Sequence, residues 1–146
     1  MRQSGNASER ADEGAMKAID TNVIVRYLVQ DDPSQARKAA SFIEDTAEAG
    51  DQILISNAVL CEMVWVLDAA YEYSRREIDT ALEKLLLTGT FRFEAKDVVW
   101  AALNDYRSAS VDFADCLIGR IHRSLGAEVT TTFDLSLRKL PTFKLL

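Results

Sequence analysis

Four short runs of apolar or β-branched residues, separated by longer segments of helical pattern, constrain how this chain can fold. The runs lie at residues 17–19, 52–55, 91–93 and 128–132. Strands that alternate with helices are joined by crossover connections, so they lie parallel in a sheet. The sequence therefore predicts an α/β protein: a three-layer α/β/α sandwich with helices on both faces of a central, mainly parallel sheet.

Residues with strong positional preferences mark the ends of the predicted helices. Asp32 and Pro33 are typical of a helix N-terminus, and Gly50 is typical of a C-terminus. Ser56 and Ser74 are expected to cap two further helices. Helices are predicted at residues 22–29, 33–50, 58–73, 75–87, 96–108 and 113–125, and a last edge strand at residues 142–145.

The folded part is predicted to begin near Met16. Residues 1–15 hold almost no large apolar side chain and lack the apolar segment of a signal peptide, so we expect a disordered extension or an over-long start. Residues 16–146 show no internal repeat and no linker, which predicts a single domain. Their apolar runs are too short for a membrane span of roughly 20 residues.

The charge of the chain limits how it can meet nucleic acid. A formal net charge of −6 argues against broad, charge-driven binding. The negative net charge is still compatible with a small nucleic-acid site in which a metal ion reverses the local charge. Basic residues that could contact a nucleic acid occur only locally, at Arg26, Arg37-Lys38 and Arg75-Arg76.

Several residues of types that often carry chemistry are interpreted as structural. Cys61 and Cys116 lie in apolar helical stretches, without the spacing of a zinc site or a disulfide scaffold, so we expect buried thiols in a cytoplasmic protein. His122, in the middle of a predicted helix, is interpreted as a surface or packing residue. Trp65, Trp100 and the phenylalanines are predicted to belong to the core.

Two carboxylates sit beside or within apolar runs. Asp20 comes directly after the first predicted strand. Glu62 is the one charged residue of 58–67, and its neighbours on the helix are apolar. This pattern predicts a buried carboxylate that must either find cations or stay protonated. The alternative is that Glu62 lies on a narrow solvent-facing stripe or pairs with an arginine.

Three further carboxylates lie near the C-terminal end. Asp112 and Asp115 stand three residues apart at the start of a predicted helix, which puts them on one face. Asp112 has an alternative interpretation as a helix cap, because carboxylates are favoured in a first turn. Asp134 follows the run 128–132 as Asp20 follows the first run. Taken alone, Asp134 would be interpreted as a turn residue.

The carboxyl ends of parallel strands form the usual functional crevice of an α/β sheet. Four acids are predicted at that rim: Asp20, Glu62, Asp115 and Asp134. Because like charges repel, such a cluster is favoured when divalent cations neutralise it. Oxygen ligands without a set of His or Cys residues indicate Mg²⁺ or Mn²⁺. These ions can activate a water and stabilise charge on a phosphodiester, so the predicted chemistry is hydrolysis of a phosphate ester.

Four segments, in this order, resemble one known family. The segments are AIDTNVIVRYL, the helix that carries Glu62, FADCLIGRIH and the closing TTTFD. They are similar to a PIN domain, in particular to a VapC-type toxin ribonuclease of type II toxin–antitoxin systems, over residues 16–146. The resemblance implies a parallel sheet flanked by helices, an Mg²⁺ or Mn²⁺ site, and endonuclease activity on single-stranded RNA.

The resemblance also implies roles for individual residues and partners. The acids of the metal site would be, in chain order, Asp20, Glu62, Asp115 and Asp134. Supporting polar residues would be Thr21, Asn22 and Thr132, and Asp112 falls where some members carry an additional acid. Members usually form homodimers and are inhibited by an antitoxin that can insert an arginine into the acidic site. The helices at 57–73 and 75–87 are the candidate contact surfaces.

Two alternatives come from different classes. The first is a non-catalytic PIN-fold binding module that acts by complex formation, against which the presence of all four acids counts. The second is a phosphoryl-transfer domain that uses the Asp after the first strand as nucleophile. That chemistry typically needs a second acid two residues later, where this chain has Asn22, and a lysine near the last strand, which 131–135 lacks.

Overall fold

Three parallel strands form the main sheet in a computed structural model that describes residues 14–146. The strands are β1 (Met16–Ala18), β2 (Gln52–Ile55) and β3 (Phe91–Phe93), in the order β1-β2-β3. Lys17 lies opposite Ile53, which in turn lies opposite Phe91. The α/β class and the parallel sheet flanked by helices are thus confirmed.

The last two strands form a separate parallel pair. β4 (Thr130–Thr132) pairs with β5 (Phe143–Leu145), with Thr131 opposite Lys144. Backbone bonds close the pair at both ends, from Thr130 N to Thr142 O at 2.8 Å and from Leu146 N to Thr132 O at 2.9 Å. These strands bond to each other, so the prediction that residues 142–145 form the edge of one central sheet is corrected.

Six α-helices connect and cover the strands. They are α1 (Thr21–Val29), α2 (Pro33–Glu48), α3 (Asn57–Ala69), α4 (Arg75–Leu87), α5 (Lys96–Ser108) and α6 (Phe113–Ser124). Asp32 accepts a hydrogen bond from Gln35 N, and Ser74 forms a capping box with Glu77. A short 3₁₀ helix (Leu135–Lys139), which the sequence analysis did not predict, follows β4.

Helix α3 ends four residues earlier than predicted. Glu72 adopts the left-handed conformation, with φ of 55°, and its N–H donates to Asp68 O at 3.1 Å. This 5→1 bond is that of the αL C-cap motif, usually built on glycine. A non-glycine residue occupies the left-handed position here, so no glycine marks the end of α3.

The apolar run 17–19 predicts a short buried strand, but strand β1 is exposed. It spans Met16–Ala18, one residue earlier than expected, and all three of its residues are exposed. Ile19, just beyond it, is buried. Before β1, Ala15 N donates to Asp51 Oδ1 and Ala15 O accepts from Gln52 N, each at 2.9 Å. The predicted disordered extension falls mainly on residues 1–13, which lie outside the described residues.

The core lies between the main sheet and its helices. Helix α3 buries one stripe at helical spacing, formed by Leu60, Met63, Val64 and Leu67. Trp65 faces the other way and is 68% exposed, and Phe133, in the loop after β4, is 82% exposed. The prediction that these two aromatic residues belong to the core is therefore wrong. Trp100 and Phe42 are half-buried against the core, while the other four phenylalanines are buried.

The two cysteines are free thiols, as predicted. Cys116 is fully buried, and burial raises the pKa of its thiol to about 12. Cys61 is half-buried. Within residues 14–146, no helix combines the length and the apolar character that a membrane span requires.

Two arginines fix helix α6 in place. The guanidinium of Arg120, on α6, donates from Nε and Nη2 to both carboxylate oxygens of buried Asp105 on α5, at 2.7 and 2.8 Å. Arg75 donates to the backbone carbonyls of Tyr106, Ala109 and Val111 and lies 3.7 Å from the centre of the Tyr106 ring. Both ends of the α5–α6 connection are thereby tied down, which positions the acids at the start of α6.

Replacing Arg120 should destabilise the fold much more than replacing a surface arginine. Arg120→Met leaves Asp105 buried without its cation. We expect the free energy of unfolding to fall by roughly 3 kcal/mol. This is the lower end of the range for broken buried pairs, because Arg120 is partly exposed. Arg107→Met is the matched control. Its pairs with Asp79 and Glu83 are more exposed, so about 1 kcal/mol or less is expected. Urea unfolding measures both, and equal losses would contradict the role of the Arg120–Asp105 pair.

Candidate active site

Asp20 begins helix α1 just beyond the carboxyl end of β1. Its Oδ1 accepts the N–H of Val23 at 3.4 Å, so the residue is the N-cap of the helix. The side chain is exposed. A carboxylate in this position faces solvent at the rim of the sheet, beside the positive end of the helix dipole.

Glu62 is joined to the residue after Asp20. The buried hydroxyl of Thr21 donates a short hydrogen bond to Glu62 Oε1, which links the start of α1 to the middle of α3. Glu62 itself is exposed, together with Ala58 and Trp65 on the same helix. The prediction of a buried carboxylate is wrong, because this face of α3 is turned to solvent although its residues are apolar.

Asp112 and Asp115 lie in the first turn of α6. Asp112 occupies the N-cap position, but its side chain makes no capping hydrogen bond, so the alternative of a simple cap finds no support. Asp115, one turn further along, is half-buried. Both carboxylates therefore project from the helix start that Arg75 and Arg120 hold in place.

Asp134 is held by its neighbours in the loop after β4. Its Oδ1 accepts from the N–H and the hydroxyl of Ser136 at 2.9 and 2.7 Å, and its own N–H donates to Thr132 Oγ1 at 3.0 Å. These bonds to Ser136 lower the pKa of Asp134. Ser136 was missed by the sequence analysis, although Asp followed two residues later by Ser is a known turn pattern that could have indicated it.

The acids of α6 and of the β4 loop act on one another. The pKa of Asp115 is raised, first by burial and then by the negative charges of Asp112 and Asp134. Asp112 and Asp134 are therefore close enough to Asp115 for their negative charges to disfavour its ionised form. A cation placed among them would remove the repulsion, so this group matches the charge preference of a cation site.

The acids thus fall into two groups. One consists of Asp20 and Glu62, connected through Thr21, and the other of Asp112, Asp115 and Asp134. Helix α3 packs against both α1 and α6 and so lies between the groups. Across residues 14–146, no three His, Cys, Asp or Glu side chains come close enough together to hold one ion. Carboxylate oxygens are the ligands that hard divalent cations prefer. The carboxylates of these acids do not, however, converge on one point.

A cleft of about 620 Å³ opens beside Asp20. Asn22, which the sequence analysis assigned a supporting role, is exposed and lines it together with Asp20. Basic side chains lie further along the cleft, at Arg26 and Lys38. Arg26 bonds to Asp31, Gln35 and Tyr71, which connects α1 to the start of α2 and to the turn after α3.

Comparison with known proteins identifies the class to which this fold and site belong. The family model of the PIN domain matches residues 17–142, so the chain belongs to the PIN domain family. The chain is also similar to the VapC ribonuclease of Aquifex aeolicus (strain VF5). The two are 25% identical over 125 residues, which cover 86% of this chain and 92% of that relative. No solved structure gives a significant match. The family predicted from the four segments is confirmed.

The raised pKa of Asp115 gives a direct test of the α6 group. We expect Asp112→Asn to lower the pKa of Asp115 by removing one repelling charge, without abolishing the shift, because burial is its larger cause. A raised pKa means that folding favours the protonated carboxyl. Its contribution to stability is present at acid pH and is lost as the pH rises through the raised pKa.

Carboxylate carbon NMR as a function of pH measures the pKa of Asp115 in each variant. Glu44→Gln, on α2, is the control and should leave that pKa unchanged. If Asp112→Asn also leaves the pKa unchanged, Asp112 and Asp115 do not form one electrostatic group.

Proposed function

We propose that this protein is a metal-dependent endonuclease of single-stranded RNA and acts as the toxin of a toxin–antitoxin pair. Membership of the PIN domain family and similarity to a VapC ribonuclease support the proposal. The observation that carries it is the half-buried carboxylate of Asp115 at the start of α6, which faces the negative charges of Asp112 and of Asp134 from the loop after β4 and so favours a bound cation.

The proposed roles follow the bonds of each acid. Mg²⁺ or Mn²⁺ would be held by four carboxylates, those of Asp20, Glu62, Asp115 and Asp134. Thr21 orients Glu62 through its hydroxyl, while Thr132 and Ser136 orient Asp134. Asn22 and Asp112 are supporting residues at the edges of the site. When bound, the metal would supply an activated water and stabilise negative charge on the phosphodiester.

The partners and location are also part of the proposal. The acidic site would accept an arginine or similar cation from an antitoxin in place of the metal, which blocks the chemistry by charge and by bulk. Homodimer contacts are proposed on α3 and α4, where Leu87 at the end of α4 is 69% exposed. The free thiols of Cys61 and Cys116 support a reducing, cytoplasmic location.

Cleavage of a labelled pool of RNA tests the activity. Wild-type protein should cleave with Mg²⁺ or Mn²⁺ and not with EDTA. Asp20→Asn should lower the rate by more than about 100-fold, because loss of a metal ligand costs more than loss of an outer partner. Glu44→Gln, which removes a carboxylate from α2 instead, should cleave at the wild-type rate.

Two results would contradict the proposal. Equal rates for the wild type and Asp20→Asn would mean that a contaminant or another site cleaves the RNA. Absence of cleavage, combined with absence of Mn²⁺ binding in a titration of the same samples, would favour the non-catalytic binding module.

A further inference from the structure

Trp65 is a large apolar side chain exposed one turn after Glu62. The indole is 68% exposed, whereas four apolar residues of the same helix are buried: Leu60, Met63, Val64 and Leu67. Trp65 therefore adds little buried apolar surface to the core. Its place on α3 puts a flat aromatic surface next to one of the proposed metal ligands.

A groove of about 340 Å³ is lined by Trp65 from α3 and by Asp112 from the start of α6. Cys61 and Tyr73 also line it. Asp112 is the N-cap of α6, and Asp115, a proposed metal ligand, lies in the first turn of that helix. The groove therefore reaches the edge of the proposed active site.

The charges in the groove favour a neutral, planar occupant with N–H donors. Asp68 and Asp112 line it and offer carboxylate oxygens as acceptors. The one guanidinium in its lining belongs to Arg75, whose N–H groups donate to three backbone carbonyls. Such a groove repels a phosphate, while a nucleobase is uncharged, presents N–H groups along its edge and stacks on aromatic rings.

We infer that Trp65 binds an unstacked nucleobase of the RNA, next to the phosphate that lies at the acids. The inference rests on the proposed function and assigns to it a substrate-binding residue. It also explains how an acidic protein can hold RNA near its site, since stacking needs no net positive charge.

Steady-state kinetics give the first test. Trp65→Ala should raise KM for single-stranded RNA between about 5-fold and 150-fold, the range that stacking of one base on an aromatic ring spans, and leave kcat within a few-fold. Trp65→Tyr keeps an aromatic ring and should recover most of the loss. Leu125→Ala removes a side chain that is 80% exposed outside the groove, and it should have no effect on KM.

Fluorescence gives a second test that needs no cleavage. The chain has two tryptophans, so Trp65 is the sole one in an Asp20→Asn/Trp100→Phe variant. In EDTA, a short oligoadenylate should quench this fluorescence at lower concentration than a blunt RNA duplex of the same strand length, because only the single strand offers unstacked bases.

The outcomes separate this inference from the proposed function. Metal-dependent cleavage with an unchanged KM in Trp65→Ala would overturn the inference alone. Quenching by the oligoadenylate without any cleavage would support the groove and count against the nuclease. If Trp65→Ala alters the assembly mass by light scattering while RNA affinity stays constant, the indole belongs to a protein contact and the inference is wrong.

Discussion

Repulsion among carboxylates at the start of α6 is the constraint on which the site depends. Asp115 is half-buried, and this burial, followed by the charges of Asp112 and Asp134, raises its pKa. A fold relieves such repulsion by protonation, by moving the side chains apart, or by binding a cation. Among residues 14–146, no three His, Cys, Asp or Glu side chains come close enough together to hold one ion, so binding of a divalent cation would require these acids to approach one another.

Contacts made by two arginines and one threonine hold the helices that carry these acids in place. Arg120 neutralises buried Asp105 between α5 and α6, and Arg75 holds the connection by three backbone carbonyls and the face of Tyr106. On the other side, the Thr21 hydroxyl holds Glu62 against the start of α1. The start of α6 is therefore fixed by arginines outside the proposed site, and Glu62 is fixed by Thr21, a supporting residue of the site.

Local patterns in the sequence predict the elements of this fold well. Strand β2, strand β3, helix α4 and helix α5 have the predicted bounds, because capping residues and apolar spacing act over a few positions. Properties set by tertiary packing could not be predicted in this way. The exposure of Trp65 depends on which face of α3 meets the core, and the pairing of β4 with β5 depends on long-range bonds.

In the candidate site, too, the sequence predicts local features but not those that depend on tertiary packing. The sequence predicts the acids at strand ends or on helices that begin there, and the structure has those strands and helices, but the sequence does not determine how the side chains are oriented. The link from Thr21 to Glu62 joins residues 41 positions apart, and the bond from Ser136 to Asp134 needed a turn geometry that a single motif does not specify. That these acids bind a metal stays a prediction.

The most direct measurement is carboxylate carbon NMR during a titration with Mn²⁺, a paramagnetic ion that broadens nearby resonances. We expect resonances from both acidic groups, those of Asp20 and Glu62 and those of Asp115 and Asp134, to broaden together at low Mn²⁺ and to sharpen again when excess Mg²⁺ displaces it. Broadening confined to one group, or spread equally over acids elsewhere such as Glu44, would contradict a single metal site at this end of the sheet.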